Sequence, residues 1–189
     1  MLTFNNLGNL GRLANQMFQY ASLKGIARKH GYDYAIPPLE MFGQNDPLVR
    51  ESTLNIYNVF NIGKNNNVNV VRNPMLQERM HEFDKELFES CPDNVDLYGY
   101  YQSPKYFDHI KDEIKSDFTF TDEVESICSE MFETIKDGKK VIALHIRRTD
   151  YTVNPNHPLQ SMQYYEEALK TFDKNTNLLV FSDDPEWCQ

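Results

Sequence analysis

Two adjacent arginines, Arg147 and Arg148, close the apolar run in VIALHIRRTDY, residues 141–151. Guanidinium groups carry permanent charge and planar donor forks, so a side-by-side pair suits a phosphate or diphosphate held bidentately. If that anion is a leaving group, the same donors stabilise the charge that builds as the bond breaks, by roughly 3 kcal/mol per well-placed donor. Asp150 is near enough to orient one arginine or the loop that follows. The plainer alternative is a surface pair neutralised by neighbouring acids. His145 lies inside the run, where a packed, hydrogen-bonded histidine is commoner than a catalyst. A second apolar run, NLLVFS, ends in Ser182, Asp183 and Asp184. The two aspartates suit a metal pair or a turn before Pro185, and without more ligands the turn is favoured. Tyr151 and Trp187 read as packing residues rather than sugar platforms.

A third cluster is GNLGRLANQMFQYA, residues 8–21. Gly8 and Gly11 loosen the backbone before a helix start, where Arg12, Asn15 and Gln16 gather. A helix N-terminus beside an arginine suits anions or sugar hydroxyls. Asn15 also serves simply as a cap, and a glycine-rich turn before a helix is a common structural device.

The elements that must position these groups are legible as periodicity. KVIALHI and NLLVFS are short apolar runs, expected as strands buried on both faces. Between them, SMQYYEEALKTF sets Met162, Tyr165, Leu169 and Phe172 on one helical side. Strand, helix, strand makes a βαβ unit with parallel strands. Ligands bind off the C-terminal edge of such sheets. His145, Arg147, Arg148 and Asp150 therefore converge there with Ser182, Asp183 and Asp184.

Upstream, NQMFQYASLKGIARKHG predicts a helix from an Asn15 cap to a Gly31 stop. YDYAI predicts a strand. DLYGYYQSPKYFDHIKDEI predicts a strand, then a helix capped by Ser103 with Pro104 at its first position, with Phe107, Ile110 and Ile114 on one face. TDEVESICSEMFETIKDG predicts an amphipathic helix, with Val124, Ile127, Cys128, Met131 and Ile135 on one face and a stop at Gly138. The Asn-rich segment of residues 61–73 reads as a loop with a short strand.

The chain has 189 residues and a net charge of −9, which argues against a nucleic-acid partner while leaving room for one basic pocket. Cys91, Cys128 and Cys188 are odd in number and show no metal-ligand spacing, so neither a disulfide framework nor a metal site is expected. A reducing, cytoplasmic compartment fits. No run is long enough for a membrane helix, and MLTFNN has no signal-peptide character.

GRLANQMFQYASL, YGYYQSPKYF, HIRRTDY and FSDDPEWC occur in this order, spanning residues 8–189. In this the chain resembles the α-1,2-fucosyltransferases of glycosyltransferase family 11. HIRRTDY is also similar to the HxRRxD element of α-1,6- and protein O-fucosyltransferases. The first motif departs from the family at Ala14, where glycine is usual, and the added methyl is expected to crowd a tight turn.

The resemblance implies an α/β protein of GT-B-like fold. Residues 1–138 would form a Rossmann-like N-terminal domain on the acceptor side. Residues 139–189 would be the first βαβ unit of a Rossmann-like nucleotide-binding domain. Arg147 and Arg148 would contact the diphosphate of GDP-fucose, with His145, Ser182 and Asp183 in the same site. Arg148 and Asp150 would be the catalytic candidates. Arg12, Asn15 and Gln16 would face the cleft from the other domain. The implied reaction is inverting and metal-independent, with GDP-fucose as donor substrate rather than cofactor and a galactose-containing glycan as acceptor. Acceptor choice would lie in loops such as residues 38–75.

Eukaryotic relatives of the family carry an N-terminal anchor, for which the residues before Gly8 leave no room. Family members also continue past the position of Gln189 into a motif of the form Asn-Ser-Thr-Phe-Ser-Trp-Trp. The expectation is therefore a fragment, a shortened gene product, or a protein completed by another chain or by self-association. It would be cytoplasmic, free or peripheral at a membrane where glycans are assembled. A non-catalytic remnant that binds glycan or nucleotide is the alternative.

Overall fold

Four short strands, β1 (Leu2–Thr3), β2 (Tyr34–Ala35), β3 (Met75–Gln77) and β4 (Asp96–Tyr98), pair in parallel in the order β2-β1-β4-β3. The structure is a computed structural model and describes residues 1–44, 54–64 and 69–189. It divides into two units, Met1–Val124 and Glu125–Gln189. The sheet belongs to the first.

Parallel neighbours need a crossover, and helix α1 (Leu13–His30) supplies the one from β1 to β2. It is buried round much of its circumference: Tyr20, Leu23, Ile26 and Ala27 are enclosed, and so are the polar Gln16, Gln19, Ser22 and Lys24. Buried polar groups cost stability unless they are bonded. Gln19 Nε2 donates to the carbonyls of Leu10 (2.9 Å) and Gly99 (3.1 Å), and Ser22 Oγ donates to Tyr101 O (3.1 Å). Lys24 Nζ donates to Asp117 Oδ2 at 2.5 Å, and the same oxygen accepts from the Tyr20 hydroxyl at 2.9 Å. Gly25 lets α1 press against the chain at Tyr106, because a β-carbon there would lie 2.1 Å from Tyr106 O. Gly31 ends the helix in the left-handed region at φ 70°, as its sequence position predicts.

The core of this unit joins Leu2, Phe4, Leu7, Ile36 and Leu97 to the rings of Tyr20, Tyr101 and Tyr106. Each fully buried aliphatic side chain contributes about 1.5–3 kcal/mol. Short helices α2 (Ile56–Val59), α3 (Lys85–Ser90) and α4 (Lys111–Asp117) complete the unit. Asp84 caps α3 by accepting from Leu87 N at 2.9 Å, while both of its oxygens take the Arg79 fork at 2.6 Å.

Three upstream expectations change. Helix α1 starts at Leu13 with Arg12 in the capping position, so Asn15 is inside the first turn and its side chain does not cap. Ala14 is exposed in the first turn of the helix rather than in a tight turn before it. The segment after Ser103 forms two 3-10 turns, Pro104–Tyr106 and Asp108–Ile110, before the α-helix begins at Lys111. Ser103 makes no capping hydrogen bond. Burial of the Tyr106 ring and the pairing of its hydroxyl with Asp84 N (2.8 Å) fix the path there, overriding the local start signal. The reading of residues 61–73 falls partly outside the described residues. Within it, Asn61–Lys64 is a 3-10 turn, and the strand β3 begins just beyond, at Met75. The proposed acceptor loops likewise include residues 45–53 and 65–68, which are not described.

Helix α5 (Asp122–Lys136) spans the junction of the units; the sequence set the second domain to begin later, at residue 139. In the second unit, β5 (Lys140–Ile146), helix α6 (Met162–Leu169) and β6 (Thr176–Ser182) form the expected βαβ arrangement. The strands pair in parallel from Lys140↔Thr176 to Ile146↔Ser182. Ser161 caps α6 by accepting from Tyr164 N. Asn177 Nδ2 donates to the carbonyls of Ile135 (2.7 Å) and Lys136 (3.1 Å), closing the end of α5. The expectation that both strands are buried on both faces is not met. Leu178, Val180 and Phe181 are exposed, and so are Ile127 and Met131 on the apolar face of α5. A two-stranded sheet offers too narrow a platform for flanking helices to enclose it. Among the described residues, no helix is long and apolar enough to cross a membrane.

Candidate active site

Side chains alternate along a strand, so β5 points His145 to one face while the chain beyond Ile146 leaves the sheet at its C-terminal edge. His145 pairs in register with Phe181, and both are exposed. It is therefore not the packed core histidine that its place in the run suggests.

The residues that follow converge with the end of β6. Asp183 accepts from Arg148 N through Oδ1 (2.8 Å) and from the Thr149 hydroxyl through Oδ2 (2.7 Å). These bonds, the Thr149 hydroxyl first, hold the Asp183 carboxyl below the usual carboxylate range. Asp184 accepts from Arg148 Nε through Oδ2 at 3.0 Å and from Trp187 N through Oδ1 at 3.3 Å. Ser182 Oγ accepts from Asp184 N at 3.0 Å, turning the chain at the strand end. The aspartate pair thus builds a turn, the favoured of its two sequence readings, and that turn holds Arg148 by backbone and side chain together.

The two arginines are held differently. Arg147 gives one whole edge to Asp150, Nε to Oδ1 at 2.9 Å and Nη2 to Oδ2 at 2.5 Å, and its guanidinium lies 4.8 Å from the Tyr151 ring centre. The Asp150 bonds push its pKa further up, so it stays charged throughout the accessible range. Arg148 lies 3.9 Å from the Trp187 ring centre and commits only Nε to Asp184. Its Nη1 and Nη2 make no hydrogen bond among the described residues. Tyr151 and Trp187, read from sequence as packing residues, are faces for the arginine pair. The spacing Asp-Asp-Pro-Glu-Trp was the available signal, since it carries a carboxylate and a ring on one turn. Thr149 carried no signal of its own.

In the first unit, Gln102 Nε2 donates to Asn15 Oδ1 at 2.6 Å, joining the first turn of α1 to the loop after β4. Arg12 is exposed beside it. Gln16 is fully buried, its Oε1 accepts from Ile56 N at 3.2 Å, and its Nε2 has no partner among the described residues. Gln16 therefore works inside the unit, while Arg12 and Asn15 remain at its surface. The loop carrying Gln102 is strained, with Gly99 at φ 150° and Tyr101 at φ 51°. Glu78, just past β3, holds it by accepting from Tyr100 N (2.8 Å) and Tyr101 N (3.0 Å). Neither Gln102 nor Glu78 was a sequence candidate, and nothing in the local pattern marks Glu78.

Residues 3–189 match the profile of glycosyl transferase family 11. The chain belongs to this family. It is 30% identical over 203 residues to an alpha-1,2-colitosyltransferase of Escherichia coli, covering 95% of this chain and 68% of that protein. It is 29% identical over 192 residues to galactoside alpha-(1,2)-fucosyltransferase 2 of Sus scrofa, covering 95% of this chain and 54% of that protein. The chain thus spans about two thirds of the first relative and about half of the second. Among solved structures it resembles NodZ alpha-1,6-fucosyltransferase soaked with GDP-fucose, with a TM-score of 0.57 at 12% identity, covering 98% of this chain and 71% of that one. At this identity the likeness concerns the fold, which is α/β and GT-B-like.

Proposed function

We propose that the chain is the glycosyltransferase portion that moves L-fucose from GDP-β-L-fucose to the 2-hydroxyl of a galactoside, with inversion and an α-1,2 link. Residues 1–138 would serve the acceptor side and residues 139–189 the donor. The observation that carries the reading is the arginine pair fixed at a parallel sheet edge within a family 11 chain. In this scheme the acceptor oxygen attacks the anomeric carbon, the bond from that carbon to the diphosphate breaks, and the acceptor proton leaves with a base. Negative charge gathers on the departing GDP, where Arg148 and the outer edge of Arg147 meet it, supplying the compensating charge from side chains alone. Asp150 acts through Arg147, because both of its oxygens are committed to that guanidinium. His145, Ser182 and Asp183 frame the same edge, and Arg12 and Asn15 are the polar surface offered to a glycan. A cytoplasmic location is supported by three free cysteines.

The test is incubation of the chain with GDP-fucose and a galactoside, with linkage analysis of the product. The expected result is an α-1,2 fucoside, with transfer reduced at least about 100-fold by Arg148→Ala. Preference for a colitose donor, by analogy with the bacterial relative, would overturn the choice of sugar. A second reading, binding without transfer, is favoured by the open faces of the second unit, where Leu178 and Phe181 are exposed. Saturable GDP binding with no turnover would select it.

A further inference from the structure

A guanidinium is a rigid plane, so its direction is fixed once one face and one edge are held. Arg148 has both restraints: the indole of Trp187 covers a face at 3.9 Å, and Asp184 Oδ2 takes the Nε edge at 3.0 Å. The same carboxylate also holds the main chain that carries the ring, because Asp184 Oδ1 accepts from the backbone Trp187 N at 3.3 Å. Behind the indole stands Tyr165 of α6, edge-on at 6.1 Å and buried. Asp184 and Trp187, from one turn, therefore hold Arg148 on an edge and a face, and Tyr165 of α6 backs the indole. The arginine side chain is only 18% exposed, yet its two terminal nitrogens make no hydrogen bond among the described residues. Arg147 differs in each respect: it is 37% exposed, its ring contact is longer, and one edge is fully consumed by Asp150.

From this geometry we infer that Trp187 and Asp184 are positioning residues for donor binding, which hold Arg148 as the principal, pre-oriented diphosphate donor while Arg147 plays the lesser part. The inference rests on the reading of this edge as a nucleoside diphosphate site. Pre-orientation matters because a free arginine loses side-chain entropy when it grips an anion, whereas a stacked one has already lost it. The stack also keeps water from one face of the cation, which strengthens its attraction for an anion reached through the open edge.

Trp187 is the one tryptophan in the chain, so it reports on its own site. GDP should be titrated into the full chain by calorimetry and by tryptophan emission. Saturable binding that changes the emission is expected. Trp187→Leu and Asp184→Asn should each weaken binding about 10-fold, and Trp187→Phe, which keeps a ring face, should stay within roughly 3-fold of the native chain. In an Arg148→Ala background, titrated to millimolar GDP, Trp187→Leu should have no further effect. Thermal unfolding of each variant separates loss of fold from loss of orientation. Unchanged GDP affinity in Trp187→Leu, or an equal loss with and without Arg148, would overturn the positioning role while leaving the diphosphate site standing. Absence of saturable GDP binding by the native chain would overturn that site and the positioning role together.

Discussion

Leu97 of β4 in the first unit is fully enclosed, whereas Leu178, Val180 and Phe181 of β6 in the second are 44, 36 and 52% exposed. Both strands lie in parallel sheets and both carry apolar residues, so strand chemistry does not account for the contrast. What differs is cover. Helix α1 covers the first sheet, the 3-10 turns after Ser103 and α4 pack on α1 in turn, and the helix brings its own polar satisfaction through Gln19, Ser22 and Lys24. The second sheet has two strands, and the order at its edge comes from charge-assisted bonds: Asp183 to the backbone of Arg148, Asp184 to its side chain. A sheet edge can thus be organised by local polar links where little core lies beneath it. Stability and site order should then be separable between the two units.

The largest test of that separation is truncation of the strands. Leu97→Ala should lower unfolding stability by about 3 kcal/mol in urea titration, against less than about 1 kcal/mol for Leu178→Ala. Similar losses at the two positions would mean that the second sheet is enclosed in solution. Next is Gly25→Ala, whose added methyl meets backbone at Tyr106 O rather than a side chain that can turn away. It should destabilise the first unit by about 2 kcal/mol without altering GDP affinity, read on the same preparation.

A smaller effect is local and set by pH. Asp183 is held below the usual carboxylate range by the Thr149 hydroxyl and the Arg148 backbone. A depressed carboxylate gives a contribution that is fully present above its unfolded value and is lost as pH falls through its folded value. Amide resonances of Arg148 and Thr149 should therefore shift as pH drops below about 4, and Asp183→Asn should abolish that transition. Persistence of the transition in Asp183→Asn would assign it to another acid. Smallest is thiol reactivity. Burial pushes the Cys91 thiol in the first unit up to about 11, whereas Cys128 on α5 is exposed. A thiol reagent at neutral pH should label Cys128 quickly and Cys91 only on unfolding.

The second unit was the more legible from sequence in outline. KVIALHI and NLLVFS are long enough to declare strands, the helix between them is periodic, and strand order alone brought Arg147, Arg148 and Asp183 to one edge. Burial was misread there because apolar runs record what a strand can bury, and the cover comes from elsewhere. In the first unit, α1 and its Gly31 stop were legible, but its start was not. Asn15 has the chemistry of a cap, and its partner Gln102 lies 87 residues away. β3 is three residues long and owes its existence to pairing with β4, which no local pattern encodes. Glu78 and Trp187 belong to the same class, since each acts on residues that only the fold brings near.

Glu78 has one more effect, on which guests the first sheet edge will admit. Two successive backbone N–H groups on a strained loop make a concave seat for an anion, and at Tyr100–Tyr101 the protein fills that seat with its own carboxylate. A phosphate arriving there would find the donors taken and a negative charge in residence. What remains nearby is the exposed cation of Arg12 and the neutral amide pair of Asn15 and Gln102. The two sheet edges thus treat an anion differently: at one, two successive N–H donors are already filled by the protein's own carboxylate, and at the other Arg148 keeps two terminal nitrogens that make no hydrogen bond among the described residues.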